Sequence, residues 1–425
     1  MADRKNPRLS RDQIKTRLED ALSDVERSGS FLTSGSFELG INPGLELLGA
    51  GPIGLPLSGE MARRIIQASH TSPYGKGSET LVDESVRNSW ELNADQFFLR
   101  NPSWTGQIQK LLQTVVSGLG LKADPTQVRA EIYKLVLYEE GAFFLPHQDS
   151  EKADGMFGTL VVSLPSKHEG GDVVASHKGE SRTFSSAPGS DFNFSYAAWY
   201  SDITHEVKPV TSGYRIVLTY NLIHRPSAMR LNQGSPSTRL ISLLESWAVL
   251  CKEVFPTSDQ PVEWLEDEYT CPTAFVYMLD HEYTNAELSF TRLKGADQER
   301  VAEVRKACEK TGFSLFLASV VKSQTGSVDA YGYEDDSDYD GPPRKIYDIE
   351  ESSLVLSRVV EPEDLTFAED VDIQVDDDDI FVQEDPFHDD PDHEEISGYT
   401  GNEGATATHL YRRTVIFVLF PLPFQ

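Results

Sequence analysis

Between Ile132 and Ile223 the chain reads as a succession of short strands. Ile132–Tyr138, Gly158–Leu164, Asp172–Ser176, Ser181–Ser185, Asp191–Tyr196, His205–Val210 and Tyr214–Leu222 are rich in β-branched and aromatic residues and are separated by Gly, Pro and polar turns. No helical periodicity falls between them. Strands this short and this closely spaced indicate a sandwich or jelly roll.

Helical patterns lie on either side. Asp12–Arg27 places Ile14, Leu18, Leu22 and Val25 on one face, Gly59–Ser69 is a second helix, and Trp104–Leu119 a third with Asn101 or Ser103 as its cap. Phe31–Ser58 reads as brief strands and turns, and His70–Asp83 as a polar loop. After Pro226 helices (Thr238–Phe255, Asp297–Gly312) alternate with strands (Ala274–Leu279, Ser314–Val321, Thr414–Leu419). The expected class is α+β, with a jelly-roll core, flanking N-terminal helices and an additional C-terminal α+β region.

The formal net charge of −30 is unevenly distributed. Residues 329–395 carry 26 acidic and 3 basic side chains, while the remaining chain carries a net charge of only −7. Runs such as Tyr331–Asp340 and Val375–Glu395 repel themselves and hold little apolar surface, so this segment is expected as a disordered insertion that docks a basic partner. The expected division is 1–104, a helical and loop region supporting the barrel; 105–225, the core; 226–328, an α+β region; 329–395, the insertion; and 396–425, a terminal strand. A nucleic-acid partner is not expected, because phosphate contacts need a basic face. No apolar run approaches the roughly 18–20 residues of a membrane-spanning helix. Three cysteines (Cys251, Cys271, Cys308) without a framework spacing fit a reducing compartment, cytoplasmic or nuclear.

One constellation carries chemistry. His147 and Asp149 end the first long strand, His205 follows 56 residues later, and Arg215 ten residues beyond that. Residues i and i+2 of a strand share a face, so His147 and Asp149 reach one point, and His205 supplies a third ligand. Two imidazoles and one carboxylate with open positions are the pattern of non-haem Fe(II) oxygenases. Arg215 offers a planar fork for a carboxylate. His168 and His177, in turns of the same region, read as surface residues. Phe143 or Phe144, Leu160, Val162 and Val217 are expected to keep the pocket dry.

Tyr138-Glu-Glu-Gly141-Ala-Phe-Phe144-Leu-Pro146-His147-Gln-Asp149, Glu169-Gly170-Gly171-Asp172 and His205…Pro209-Val210…Gly213…Arg215 resemble the prolyl 4-hydroxylase branch of the Fe(II)/2-oxoglutarate-dependent dioxygenases. The resemblance covers about residues 105–225. It implies a double-stranded β-helix core with Fe(II) held by His147, Asp149 and His205. It further implies that Arg215 pairs with the distal carboxylate of 2-oxoglutarate, with Tyr138 and Ser163 as further co-substrate positions. Three positions depart from the branch: Val173 where Thr is frequent, Ser163 where an aromatic residue is frequent, and Phe144 where Tyr is frequent.

The implied reaction consumes 2-oxoglutarate and O₂, releases succinate and CO₂, and hydroxylates an unactivated C–H of a protein or peptide side chain; ascorbate is a further candidate cofactor. Three alternatives stay open: a small-molecule oxygenase of the same class, a non-catalytic sensing or interaction module on the same barrel, and a metal-binding cupin-type enzyme that uses no 2-oxoglutarate. Substrate-contact candidates are the segments His70–Asp83 and Phe97–Trp104, with Tyr74, Lys76, Trp90 and Trp199, for all of which structural roles are equally expected.

Overall fold

The strand-rich run forms two main antiparallel sheets and a separate two-stranded ribbon, His168–Gly170 with Val210–Gly213, within one unit of the chain. The computed structural model describes residues 9–25, 29–37, 40–76, 79–225, 237–254, 274–328, 343–372, 380–397 and 405–420. The chain divides into two units: Arg27–Ala228 with Lys294–Ala296, and Met1–Glu26 with Met229–Leu293 and Asp297–Gln425.

In the first unit, a seven-stranded sheet runs in the order Leu32–Ser36, Ser195–Tyr200, Met156–Ser163, Arg215–His224, Val128–Tyr138, Trp90–Asn93, His70–Thr71. A five-stranded sheet runs Glu180–Phe184, Val173–His177, Thr204–Val207, Phe143–His147, Arg87–Asn88. Every residue of Met156–Ser163 is buried, and nearly every residue of Arg215–His224. A strand covered on both faces loses the polar half of its alternation, which is why both read as continuous apolar runs.

Helix Ser103–Leu119 packs on strands of the larger sheet through Trp104, Ile108, Leu111, Leu112, Val115, Val116 and Leu119. Asn101 Oδ1 accepts from the Ser103 N–H at 3.0 Å, while Pro102 holds the cap position without a side-chain bond. Gly120, at φ 72°, closes the helix in the left-handed conformation that glycine adopts without strain.

The N-terminal third contributes more to these sheets than its pattern indicates. Leu32–Ser36, His70–Thr71 and Trp90–Asn93 join the large sheet and Arg87–Asn88 the small one, because hydrogen bonding to longer neighbours stabilises segments of two to five residues that carry little signal alone. Within the expected polar loop His70–Asp83, Tyr74–Lys76 pairs with Glu79–Leu81. The strand expected over Asp191–Tyr196 begins instead at Ser195, since Gly189 O accepts from the Phe192 and Asn193 N–H groups and holds that stretch in a turn.

The second unit corrects two expectations. Helix Arg11–Ser23, with a Ser10/Gln13 capping box, belongs to the second unit rather than to the barrel's, and buries Ile14, Leu18 and Leu22 in a core shared with Leu244, Trp247 and Phe275. The acidic segment is also partly ordered sheet. Ile346–Val360 pairs along Ser314–Val328, Thr366–Asp372 pairs with Ile346–Val360, and His393–Ser397 pairs with Thr406–Leu419. Leu354, Leu356, Val359, Val360, Phe381 and Val382 are buried there. These apolar residues are diluted in the segment's overall composition, yet they suffice where a partner strand supplies the backbone bonds. Tyr331–Asp340 and 375–379 lie outside the described residues. Among the described residues, no helix is long and apolar enough to cross a membrane.

Trp104 Nε1 donates to the Tyr220 hydroxyl at 2.8 Å, with both side chains buried. Replacing Tyr220 by Phe leaves that N–H unpaired, so the expected cost is about 1–3 kcal/mol, read as a lower urea midpoint at unchanged m-value.

Candidate active site

His147 and His205 face each other across the antiparallel pair Phe143–His147 and Thr204–Val207. The register shifts between them: Phe144 opposes Val207 and His147 opposes His205, so one strand carries an extra residue over this interval. A bulge of this kind re-aims the side chain that follows it, and Pro146, with no N–H to offer a ladder, sits within it. The ring centroids of the two histidines stand 4.2 Å apart. Asp149 lies beyond the strand end, where the Ser201 carbonyl accepts its N–H at 3.1 Å. The strand alternation that motivates the His-x-Asp reading is therefore completed by a loop contact. Ligand atoms of His147, Asp149 and His205 all lie within 4.8 Å of one another.

Each ligand is held in a metal-ready state. The carbonyls of Leu145 and Ile203 lie 2.8 and 2.9 Å from Nδ1 of His147 and His205. A carbonyl only accepts, so Nδ1 carries a proton and Nε2 is the nitrogen left for a metal. Thr159 Oγ1 and Trp199 Nε1 both donate to Asp149 Oδ2, at 2.6 and 3.2 Å, and leave Oδ1 clear of these bonds. Phe144 stacks on His147, and Trp199 lies beside His205 with centroids 4.6 Å apart. Burial, with the neighbouring His205 charge, pushes His147 down to about 3. Burial alone would raise the Asp149 carboxyl, but His205, His147 and the two hydrogen bonds outweigh it and hold it below the ordinary value.

Arg215 opens its strand opposite Tyr138 and is 1% exposed. Its guanidinium carbon stands 5.3 Å from the Tyr138 ring centroid, and Nε donates to Ser186 Oγ at 3.2 Å. Among the described residues no carboxylate is hydrogen-bonded to this cation. Gly171 passes so close that a Cβ there would stand 2.9 Å from Arg215 Cδ, and its φ of 69° suits glycine. The triad, Arg215 and Tyr138 line one cavity of about 230 Å³. Two imidazoles with Nδ1 tied to carbonyls and a carboxylate suit Fe(II), and a buried guanidinium facing the same space suits a carboxylated co-substrate, so the residues present fit both groups.

Several expected residues fall elsewhere. Ser163 is not part of the lining: its strand carries it beyond Thr159 and Val161, and its buried Oγ has no hydrogen-bond partner. Leu160, Val162 and Phe143 also lie outside the lining, because the pleat turns Thr159 and Val161 inward instead; Phe144 and Val217 do line it. His168, expected at the surface, is 2% exposed. Trp90 donates to Glu139 at 2.7 Å and does not reach the cavity, whereas Tyr74 does. Trp199 serves Asp149. Thr159, Tyr133 and Arg87 reach the site without a sequence signal, since strand partners separated by many residues bring them there.

Residues 133–223 match the model of the 2OG-Fe(II) oxygenase superfamily. None of the curated proteins matches the chain. Similar solved structures include a Pseudomonas putida prolyl-4-hydroxylase (17% identity, 50% of this chain and 100% of that one, TM-score 0.31). A second is a Trichoplax adhaerens prolyl hydroxylase in complex with a hypoxia inducible factor oxygen degradation domain peptide fragment (13%, 49% and 90%, TM-score 0.27). A third is the non-haem α-ketoglutarate-dependent epimerase SnoN from nogalamycin biosynthesis (13%, 52% and 88%, TM-score 0.27). The matched domain, with the His147–Asp149–His205 group inside it, is that of an Fe(II)/2-oxoglutarate-dependent dioxygenase using Fe(II), 2-oxoglutarate and O₂.

Two outcomes are expected. Thr159→Val removes one of the two bonds to Asp149 Oδ2 and should weaken Mn(II) binding about 10–100-fold, read by electron paramagnetic resonance titration. Burial pushes His168 below the ordinary histidine value, and the Arg215 charge adds to this against the bond to Ser166 O. The unfolded chain accepts a proton near pH ~6.5 that the folded chain refuses, so this contribution to stability is lost as pH falls below about 6.5. Urea midpoints at about pH 7.5 and about pH 5.5 should differ less in His168→Gln than in the parent chain.

Proposed function

We propose that this protein hydroxylates an unactivated C–H of a protein or peptide side chain, in the manner of a prolyl hydroxylase, with succinate and CO₂ as co-products. The observation that carries the co-substrate reading is the placement in the same cavity as the ligand triad of a buried Arg215 that, among the described residues, is hydrogen-bonded to no carboxylate. Two facing antiparallel sheets whose inward residues line that cavity support a double-stranded β-helix as its frame.

Iron held by His147, Asp149 and His205, together with 2-oxoglutarate, would supply the oxidising chemistry that yields succinate and CO₂ and puts one oxygen atom of O₂ into the C–H. The chain's residues do the positioning. His147 and His205 direct Nε2 lone pairs to one point, and Thr159 and Trp199 orient the Asp149 carboxylate toward it. Arg215 binds the distal carboxylate through its remaining N–H donors, with Tyr138 against its face. Val161, Val173 and Val217 exclude water around the co-substrate chain. Tyr74 and Tyr133, which also line the cavity, offer aromatic faces suited to a polypeptide segment.

Succinate release with Fe(II), 2-oxoglutarate and O₂ tests the chemistry. His147→Ala should abolish it. Arg215→Ala should raise the KM for 2-oxoglutarate about 10–100-fold, the scale of a lost hydrogen-bonded charge contact. Equal succinate release from the parent chain and His147→Ala would reject the enzyme reading. Mass spectrometry of a peptide pool should then show side chains heavier by one oxygen atom; turnover of small molecules alone would reject the peptide substrate.

A further inference from the structure

We infer that Ser186 and His168 form a brace that fixes the Arg215 guanidinium and thereby sets the protein's affinity for the distal carboxylate of 2-oxoglutarate. This rests on the reading of Arg215 as the co-substrate anchor.

The chain of bonds has only one consistent polarity. The Ser166 carbonyl lies 2.7 Å from His168 Nδ1 and can only accept, so Nδ1 carries the proton. His168 Nε2 is then a lone pair, and the Ser186 hydroxyl, 3.0 Å away, must donate to it. With its proton committed, Ser186 Oγ is left as an acceptor for the Arg215 Nε–H at 3.2 Å. Burial and the Arg215 charge keep His168 neutral, the state in which Nε2 accepts. His168, Ser186 and Arg215 are 2%, 5% and 1% exposed, so water cannot substitute for a missing partner.

The brace is itself held from both sides. Ser190 Oγ accepts the His168 N–H at 3.2 Å, and Ser166 Oγ accepts the N–H of Ile216, the residue after Arg215, at 3.2 Å. His168 pairs with Gly213, where an added Cβ would stand 2.2 Å from Lys167 O and φ is 78°. Gly213 thus lets the His168 strand approach the start of the Arg215 strand. A guanidinium tethered at Nε has lost much of its swing, and its two terminal nitrogens meet a carboxylate at a smaller entropic cost. Neither Ser186 nor His168 lines the cavity or touches a ligand of the triad. They are positioning residues.

The test measures 2-oxoglutarate binding to the full-length Mn(II)-loaded protein by isothermal titration calorimetry, with Mn(II) affinity measured separately by electron paramagnetic resonance. Ser186→Ala and His168→Leu should each raise the Kd for 2-oxoglutarate about tenfold, the scale of one hydrogen bond to a charged group, at unchanged Mn(II) affinity. His168→Gln, whose Oε1 accepts where Nε2 does, should restore most of the affinity lost in His168→Leu. Parent-like 2-oxoglutarate affinity in both Ser186→Ala and His168→Leu overturns the brace. So does Mn(II) affinity falling in step, or a Gln variant no better than Leu. Failure of the parent protein itself to bind 2-oxoglutarate overturns the anchor reading beneath it, an outcome distinct from the others.

Discussion

His147 and His205 stand opposite each other across one antiparallel strand pair, and the metal-binding group exists only in that register. In an uninterrupted ladder starting from Phe144 and Val207, Pro146 would oppose His205. The extra residue moves His147 into that place and brings the imidazoles to 4.2 Å. A slip of one residue would send the histidine to the other face of the sheet, because side chains alternate along a strand. The remaining parts of the site refer to this pair: Asp149 follows two residues after it, and Trp199 bonds Asp149 while lying against His205.

The other end of the cavity is governed by burial. Arg215 is a cation at 1% exposure, and burial pulls its pKa down while Tyr138 and Asp172 push it up. Removing a charge from water without a full set of partners is costly, and the fold offsets only part of that cost with Ser186 and the Tyr138 ring. Under the proposed reading, the co-substrate's carboxylate would complete the set. The same low-dielectric surroundings that make the lone cation costly strengthen its attraction for an anion.

The motif was legible because its chemistry is local. His147, Asp149, His205 and Arg215 carry functional groups that few structural roles require in such an order, and they meet in one cavity. The strand-rich run was legible from its composition, though Asp191–Phe194 resisted because a turn and a strand start share the same polar and aromatic residues. Inward and outward positions were harder. Leu160 and Val162 are as apolar as Val161, and only the pleat decides which of them faces the site. The acidic segment misled for the opposite reason, its charge count hiding Leu354, Leu356, Val359 and Val360, which pack once a neighbouring strand is present.

From sequence alone follow the ligand types, their order, the strand-rich character of the core and the chemical class they imply, since these depend on residue identity and short-range periodicity. Tertiary structure decided what lies beyond the reach of local pattern. It set Thr159 and Trp199 on Asp149, moved Ser163 off the cavity and buried His168 behind Ser186. It also placed the first helix in the core of the other unit. Each of these contacts joins residues that share no local pattern, so its geometry arises only when the strands and helices carrying them have packed.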